Sequence, residues 1–220
     1  MTAIKKNDFV ELEYTGRIQE DNSIFDTTVE AVAKENKIYK KGEKYSPIIV
    51  CIGKHMMMPS LEEALIGKEI GKSYEVKLEA ERAFGKKDGK LIQMIPTNKF
   101  LQQKINPIPG LSLNIDGNFG VIKTVSGGRC LVDFNHPLSG KDVVYSVKVN
   151  KIVSDSKEKL NSLANLYLGH AHVEVNGDIG TVKIHQKLPK ELEDEFNKEV
   201  TSVIPELKSV SFSVEAHTKE

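Results

Sequence analysis

The chain has 220 residues, enough for one domain carrying an insertion or for two or three small ones. Lys plus Arg number 31 and Asp plus Glu also 31, so the basic excess expected of a general nucleic-acid binder is missing. The longest unbroken apolar run, residues 48–52, is far too short to cross a membrane as a helix. Residues 1–10 lack the apolar stretch of a secretory signal, which predicts a cytoplasmic protein. Cys51 and Cys130 are the only cysteines, too few for a disulfide scaffold and without metal-ligand spacing.

In chain order, Phe9, Val10, Leu12 and Tyr14 give a strand signal that the turn-prone Asp21 and Asn22 close. Residues 32–46, charged and containing Gly42, read as an irregular surface loop. Pro47 leads into residues 48–52, a strand expected to be buried on both faces and stopped by Gly53. Ser60 and Glu63 form a capping-box pattern before Leu61, Ala64, Leu65 and Ile66. Gly67 and Gly71 keep that helix to one or two turns. Tyr74, Val76, Leu78 and Ala80 then alternate as one face of a strand.

Residues 86–90 are a polar turn, and Ile92, Met94 and Ile95 follow it. Pro96 and Thr97 open a short helix around Phe100 and Leu101. Residues 119–125 and 129–134 form a hairpin pattern across Ser126-Gly127-Gly128. Residues 91–134 could thus pack as a small unit, and residues 143–149 return to strand after the dense turn at 135–140. A third unit begins near Ser154. It reads helix (Leu160, Leu163, Ala164, Tyr167, ended by Gly169), hairpin (Val173, Val175, then Asn176-Gly177, then Val182, Ile184), helix (Leu188, Leu192, Phe196, Val200) and strand (Val210, Phe212, Val214, Ala216).

No metal motif stands out. His170 and His172 could point two imidazoles to one side of a strand but lack a third ligand, and the tail at 217–220 carries no metal-binding tract. There is no glycine-rich phosphate loop and no serine elbow, and Cys51 sits in an apolar strand as a core residue would. Covalent and metal-assisted catalysis are disfavoured, and neither a cofactor nor a metal is expected. What remains is an apolar constellation with one carboxylate: Tyr14, Phe25, Asp26, Ile48, Met57, Met58 and Phe84, each at a strand end or beside a turn. On composition alone these would more often be core residues than a site.

Four stretches change that weighting. They are Tyr14-Thr15-Gly16-Arg17 with Ile24-Phe25-Asp26-Thr27, then Ile52-Gly53 through Pro59-Ser60-Leu61 to Gly71, then Glu81-Arg82-Ala83-Phe84-Gly85, and finally Asp133-Phe134-Asn135-His136-Pro137-Leu138-Ser139-Gly140-Lys141. In these the chain resembles the FKBP family of peptidyl-prolyl cis/trans isomerases, of the SlyD-like kind with a domain inserted in the flap, in the long archaeal form with an extra C-terminal domain. The likeness spans about residues 8–152 and is most specific in the fourth stretch; the C-terminal third is recognised only by its place in the long form.

The resemblance implies an α+β fold: an FKBP-like antiparallel sheet wrapped on a short helix, an inserted small β-rich domain and a C-terminal α+β domain. The implied divisions are 1–85 plus 135–153, 86–134 and 154–220. It implies a pocket of Tyr14, Phe25, Asp26, Ile48, Met57, Met58, Leu61, Phe84 and Tyr145. Leu61 falls where many members place a tryptophan, and Phe84 where eukaryotic members have a ligand-bonding tyrosine, which puts tight macrolide binding in doubt. The partners implied are unfolded or nascent polypeptides containing X-Pro bonds, with no specific nucleic acid and no membrane.

The inserted segment is expected to be a client-binding arm. Its apolar residues, among them Ile92, Met94, Phe100, Leu101 and Ile108, are too many for so small a unit to bury. Residues 82–104 also hold six Lys or Arg against the single acid Asp88. The apolar stripe of the last helix either packs on the strand after it or forms a homodimer contact. Two other readings stay open: a holdase or proline-peptide binder with little isomerase activity, favoured by Phe84 and Leu61, and a ribosome-associated protein docking through the C-terminal elements.

Overall fold

The computed structural model describes residues 3–115, 117–169 and 171–214. Its elements run β1 (Phe9–Ile18), β2 (Ile24–Thr27), α1 (Glu30–Glu35), β3 (Ile48–Cys51), α2 (Pro59–Leu65) and β4 (Ser73–Leu78). Next come β5 (Ile92–Pro96), α3 (Thr97–Gln102), β6 (Ser112–Ile115), β7 (Asn118–Ser126), β8 (Arg129–Asp133) and β9 (Val143–Ile152). The chain continues through α4 (Ser156–Leu168), β10 (His172–Asn176), β11 (Ile179–Ile184), α5 (Lys190–Val203) and β12 (Ser209–Val214). Two compact units result: one takes the chain up to Arg17, Asn22–Lys77 and the part from Val144 on; the other takes Ile18–Asp21 and Leu78–Val143. The fold is α+β.

The first unit holds a five-stranded sheet in the order β2-β1-β9-β4, with β3 also paired to β1. β1 and β3 run antiparallel, with Phe9 opposite Cys51 and Leu12 opposite Ile48. Successive side chains on a strand face opposite ways, and directly opposed residues share a face. Val10, Leu12 and Val50 are therefore buried on one side of the pair and Phe9 and Cys51 on the other. The second face is covered by the C-terminal elements. Phe9, Cys51 and Val153 belong to the same core cluster as Leu160, Leu163, Val182, Phe196 and Val200. This explains the unbroken apolar sequence at 48–52: β3 has no solvent face to fill with polar residues.

That C-terminal part forms a three-stranded sheet, β10-β11-β12, with β10 and β11 antiparallel and β11 and β12 parallel. α4 starts where the Asp155 carboxylate accepts from the Glu158 N–H (2.8 Å) and ends at Gly169, whose φ of +74° glycine adopts without strain. On α5, Phe196, Val200 and Val203 are buried, whereas Leu192 is half exposed at 49%. The expected stripe therefore begins a turn later. Phe196 meets Phe212 edge to face, with ring centroids 5.7 Å apart, so the helix does pack on its following strand.

The second unit carries a four-stranded sheet in the order β5-β8-β7-β6. Phe100 of α3 packs with Ile122, Cys130 and Val132 in its core. β7 and β8 pair across Gly127 and Gly128, both at positive φ, as the tight hairpin turn requires.

Several expectations need correction. The loop assigned to residues 32–46 opens with α1, where Lys34 pairs with Glu30 (2.7 Å) one turn earlier and Ala33 is buried. α2 begins at Pro59, and its N-cap, Met58, makes no side-chain capping bond, so Ser60 is not the N-cap of a capping box. Ala80 lies beyond β4 in a 3₁₀ turn, Ala80–Arg82. β6 was not anticipated, although Leu111, Leu113 and Ile115 alternate ahead of the turn-prone Asp116-Gly117. His170, Ala216 and the tail at 217–220 lie outside the described residues, so the histidine pair has no structural account. Among the described residues no helix is long and apolar enough to cross a membrane.

Candidate functional site

Within the first unit, β1, β2 and β9 bring four of the expected pocket residues together. Tyr14 Oη donates to Asp26 Oδ2 at 2.7 Å. The Tyr145 ring meets Tyr14 at 5.9 Å and Phe25 at 5.7 Å, both edge to face, the geometry that aligns a positive ring edge with a negative ring face. Gly16 makes the approach possible, because a Cβ there would lie 2.7 Å from Phe25 Cζ and 2.9 Å from Tyr145 Cε1. Burial, then the bond to Asp26, raises the Tyr14 phenol above the ordinary tyrosine range. Burial and the Asp26 charge push Tyr145 up to about 12. Both phenols are therefore neutral donors at physiological pH.

The remaining first-unit candidates lie on β3, the loop after it and α2. Ile48 is half-buried opposite Leu12, two residues along β1 from Tyr14. Met57 and Met58 are half-buried and lead into α2, whose Leu61 is fully buried. Glu62 was not anticipated and holds this region. Its carboxylate, 2% exposed, accepts from the backbone N–H groups of Gly53 (2.7 Å), His55 (3.2 Å) and Met57 (2.9 Å). The available signal was the Glu62-Glu63 pair; helical spacing alone favoured Glu63, while the backbone partners favour Glu62.

Phe84 lies in the second unit, where its ring stacks on His136 with centroids 4.9 Å apart and planes 5° from parallel. His136 Nδ1 accepts from the Leu138 N–H (3.2 Å), and Ser139 Oγ donates to the Phe84 carbonyl (3.1 Å). Asn135, within this unit, ties together the two chain segments that flank the inserted sheet. It donates from Nδ2 to the Asp88 carbonyl (3.0 Å) and to Asp133 Oδ1 (2.8 Å), and its Oδ1 accepts from the Asp88 N–H (2.8 Å). Beside this knot runs a groove of about 930 Å³ lined by Met94, Phe100, Phe119, Phe134 and His136 among others. Met94 is 60% and Phe119 51% exposed.

The comparisons with known proteins match this layout. A family described as "FKBP-type peptidyl-prolyl cis-trans isomerase" matches residues 1–106, and one described as "FKBP26, IF domain" matches residues 93–138. The "Short-type peptidyl-prolyl cis-trans isomerase" of Methanocaldococcus jannaschii is 36% identical over 149 residues, covering 68% of this chain and 94% of that protein. The chain belongs to the FKBP-type peptidyl-prolyl cis/trans isomerases. It is SlyD-like, with an insert-in-flap domain. The FKBP-type SlyD of Pasteurella multocida is 30% identical over 132 residues (58% of this chain, 63% of that one), and that of Haemophilus influenzae 25% over 158 (70% and 79%). The Tyr14, Phe25, Asp26 and Tyr145 cluster combines aromatic walls, one carboxylate and neutral phenols in one place.

Proposed function

We propose that this FKBP-type isomerase, of the long archaeal form, accelerates X-Pro isomerisation in unfolded and partly folded polypeptides that its inserted domain captures. The catalytic domain on this reading is residues 1–85 plus 135–153, the client arm 86–134, and the C-terminal domain 154–220. The pocket on this reading comprises Tyr14, Phe25, Asp26, Ile48, Met57, Met58, Leu61 and Tyr145 of the first unit, and the resemblance alone adds Phe84. The observation that carries the reading is the Tyr14–Asp26 bond set inside the edge-to-face cluster of Phe25 and Tyr145.

Rotation about a prolyl bond breaks no covalent bond. It requires loss of amide resonance, with a barrier of about 18–20 kcal/mol, and unaided it takes roughly tens to hundreds of seconds. The twisted amide is less polar than the planar one, so an apolar wall that excludes water favours it. Catalysis is then tighter binding of the twisted form than of either planar form. Asp26 fixes the Tyr14 hydroxyl, and its charge faces the altered amide dipole; no proton needs to move. The flexible, polarizable Met57 and Met58 suit a pocket that accepts varied sequences.

The exposed apolar groove of the second unit supports the chaperone part of the proposal. It also favours the second reading, a holdase with little catalysis. For a homodimer through the C-terminal elements, the exposed large apolar residues among those described are Leu166, Tyr167, Ile179, Leu192 and Val214. The deciding experiment is the proline-limited refolding of a reduced, unfolded substrate protein with catalytic amounts of the full chain. Acceleration is expected, and the pair Met94→Ser with Phe119→Ser should abolish it while short proline peptides are still turned over. Slowed refolding at stoichiometric amounts, with no acceleration at catalytic ones, would establish the holdase instead.

A further inference from the structure

The segment between β3 and α2 has no regular structure, yet it leads directly to Met57 and Met58. Gly53 and His55 both have positive φ (+87° and +56°). A β-carbon makes that conformation costly at a non-glycine such as His55. A segment so built depends on bonds from its surroundings for its shape. Its residues divide by alternation. The backbone N–H groups of Gly53, His55 and Met57 all go to Glu62. Of the residues between, Lys54 reaches α5 with its side chain, and Met56 packs on the core cluster that β1 and β3 share with the C-terminal elements.

Lys54 Nζ lies 2.8 Å from Glu199 Oε1 of α5, with the two side chains only 22% and 30% exposed. Screening by water and salt is weaker there than at an open surface pair. Met56 packs on the core cluster that holds Leu163, Phe196 and Val200, and its Sδ accepts from the Cys51 N–H at 3.0 Å. Cys51 itself belongs to that cluster. The approach to α2 is thus held from inside by Glu62 and from outside by Glu199 of α5 and by the shared core cluster under Met56.

We propose that the C-terminal α+β elements are a positioning device for the isomerase pocket, with Lys54, Met56 and Glu199 as positioning residues that set where Met57 and Met58 stand. This rests on the reading that the two methionines line the pocket. On that reading Met57 and Met58 grip the chain around the proline in planar and twisted forms alike, so misplacing them removes uniform binding and acts on KM first. The C-terminal third on this account tunes catalysis although it contributes no residue that touches the substrate.

The test uses the full chain with Lys54→Met, Glu199→Gln, and the reversed pair Lys54→Glu with Glu199→Lys. Turnover of a short proline peptide is measured together with methyl NMR spectra of the methionines. Each single variant should raise KM by about fivefold with kcat within about twofold. The Met57 and Met58 methyl signals should move in the single variants, while that of Met94, in the second unit, stays in place. The reversed pair should restore both KM and the methyl positions. Single variants with unchanged KM and unmoved methyls would overturn the proposal, as would a reversed pair as impaired as the singles. If the unmodified chain shows no turnover, the functional reading fails separately, and the methyl positions alone decide whether α5 sets this segment.

Discussion

At Gly16 a missing side chain lets Phe25 and Tyr145 meet edge to face, and the backbone there is not in the left-handed region. Gly16→Ala should therefore act through steric crowding alone. Relieving a 2.7 Å approach means moving a ring out of its contact, at about 1–3 kcal/mol for an overpacked site. Turnover of a proline peptide should fall at least about tenfold, the equivalent of about 1.4 kcal/mol; activity within twofold of the parent would show that these rings do not form the working surface. The tyrosines give a pH prediction. Burial raises Tyr14 and Tyr145 above the ordinary value near 10, Tyr145 to about 12. A raised folded-state value stabilises fully below about pH 10, and that stability is lost as pH rises toward 12, because the unfolded chain releases these protons first. The melting temperature should decline through that window. Phenolate absorbance should show at least two of the six tyrosines ionising late, and six ionising together near pH 10 would contradict the buried cluster.

The insert joins the rest of its unit through Asn135. Around its side chain stand the Asp88 N–H and carbonyl and the carboxylate of Asp133, the last 5% exposed. Burial alone would raise the Asp133 carboxyl, but the bonds from the Asn135 side chain and backbone, with Lys87, hold it below the usual range. Asn135→Ala removes the side-chain bonds to the Asp88 backbone and to Asp133, at a cost of about 1–3 kcal/mol in all. The backbone N–H at position 135 and Lys87 still reach Asp133. Amide exchange should then quicken at β5 and β8, which meet between Ile92 and Asp133, while β10 and β11 keep their protection; unchanged exchange in all four strands would remove Asn135 from this role. Elements of this kind were readable to different depths. The Gly127-Gly128 turn announces β7 and β8 because two positive-φ residues have few other uses. α1 stayed hidden, since its six residues carry one buried side chain, Ala33, and an apolar period needs more turns than that to show. The aromatic cluster was legible only through resemblance: Tyr14, Phe25 and Tyr145 are far apart in sequence, and no periodicity connects β1, β2 and β9.

Over the whole molecule, the sequence marks the C-terminal elements clearly but not what they cover. Phe9 and Cys51 look like ordinary strand residues; only the β1–β3 register puts them on one face, and only the fold sets α4 and α5 against it. A chain ending after Val153 would return Phe9, Cys51 and Val153 to water, all now 2% exposed or less, together with the half-covered Ile49 that packs on the same cluster. Fully burying one large apolar side chain is worth about 1.5–3 kcal/mol. Uncovering this group therefore removes on the order of 5 kcal/mol, as much as the whole stability of a marginal domain. The truncated chain should melt at a much lower temperature and aggregate. Phe9→Thr, Ile49→Thr and Cys51→Ser together should restore its solubility, because they convert the uncovered face to the alternating pattern of a sheet that meets water on one side. Thermal unfolding and light scattering on the full chain, the truncation and the repaired truncation decide the matter. If the plain truncation melts where the full chain does, the C-terminal elements are a separable appendage, and their hold on the segment leading to Met57 falls with the shared core.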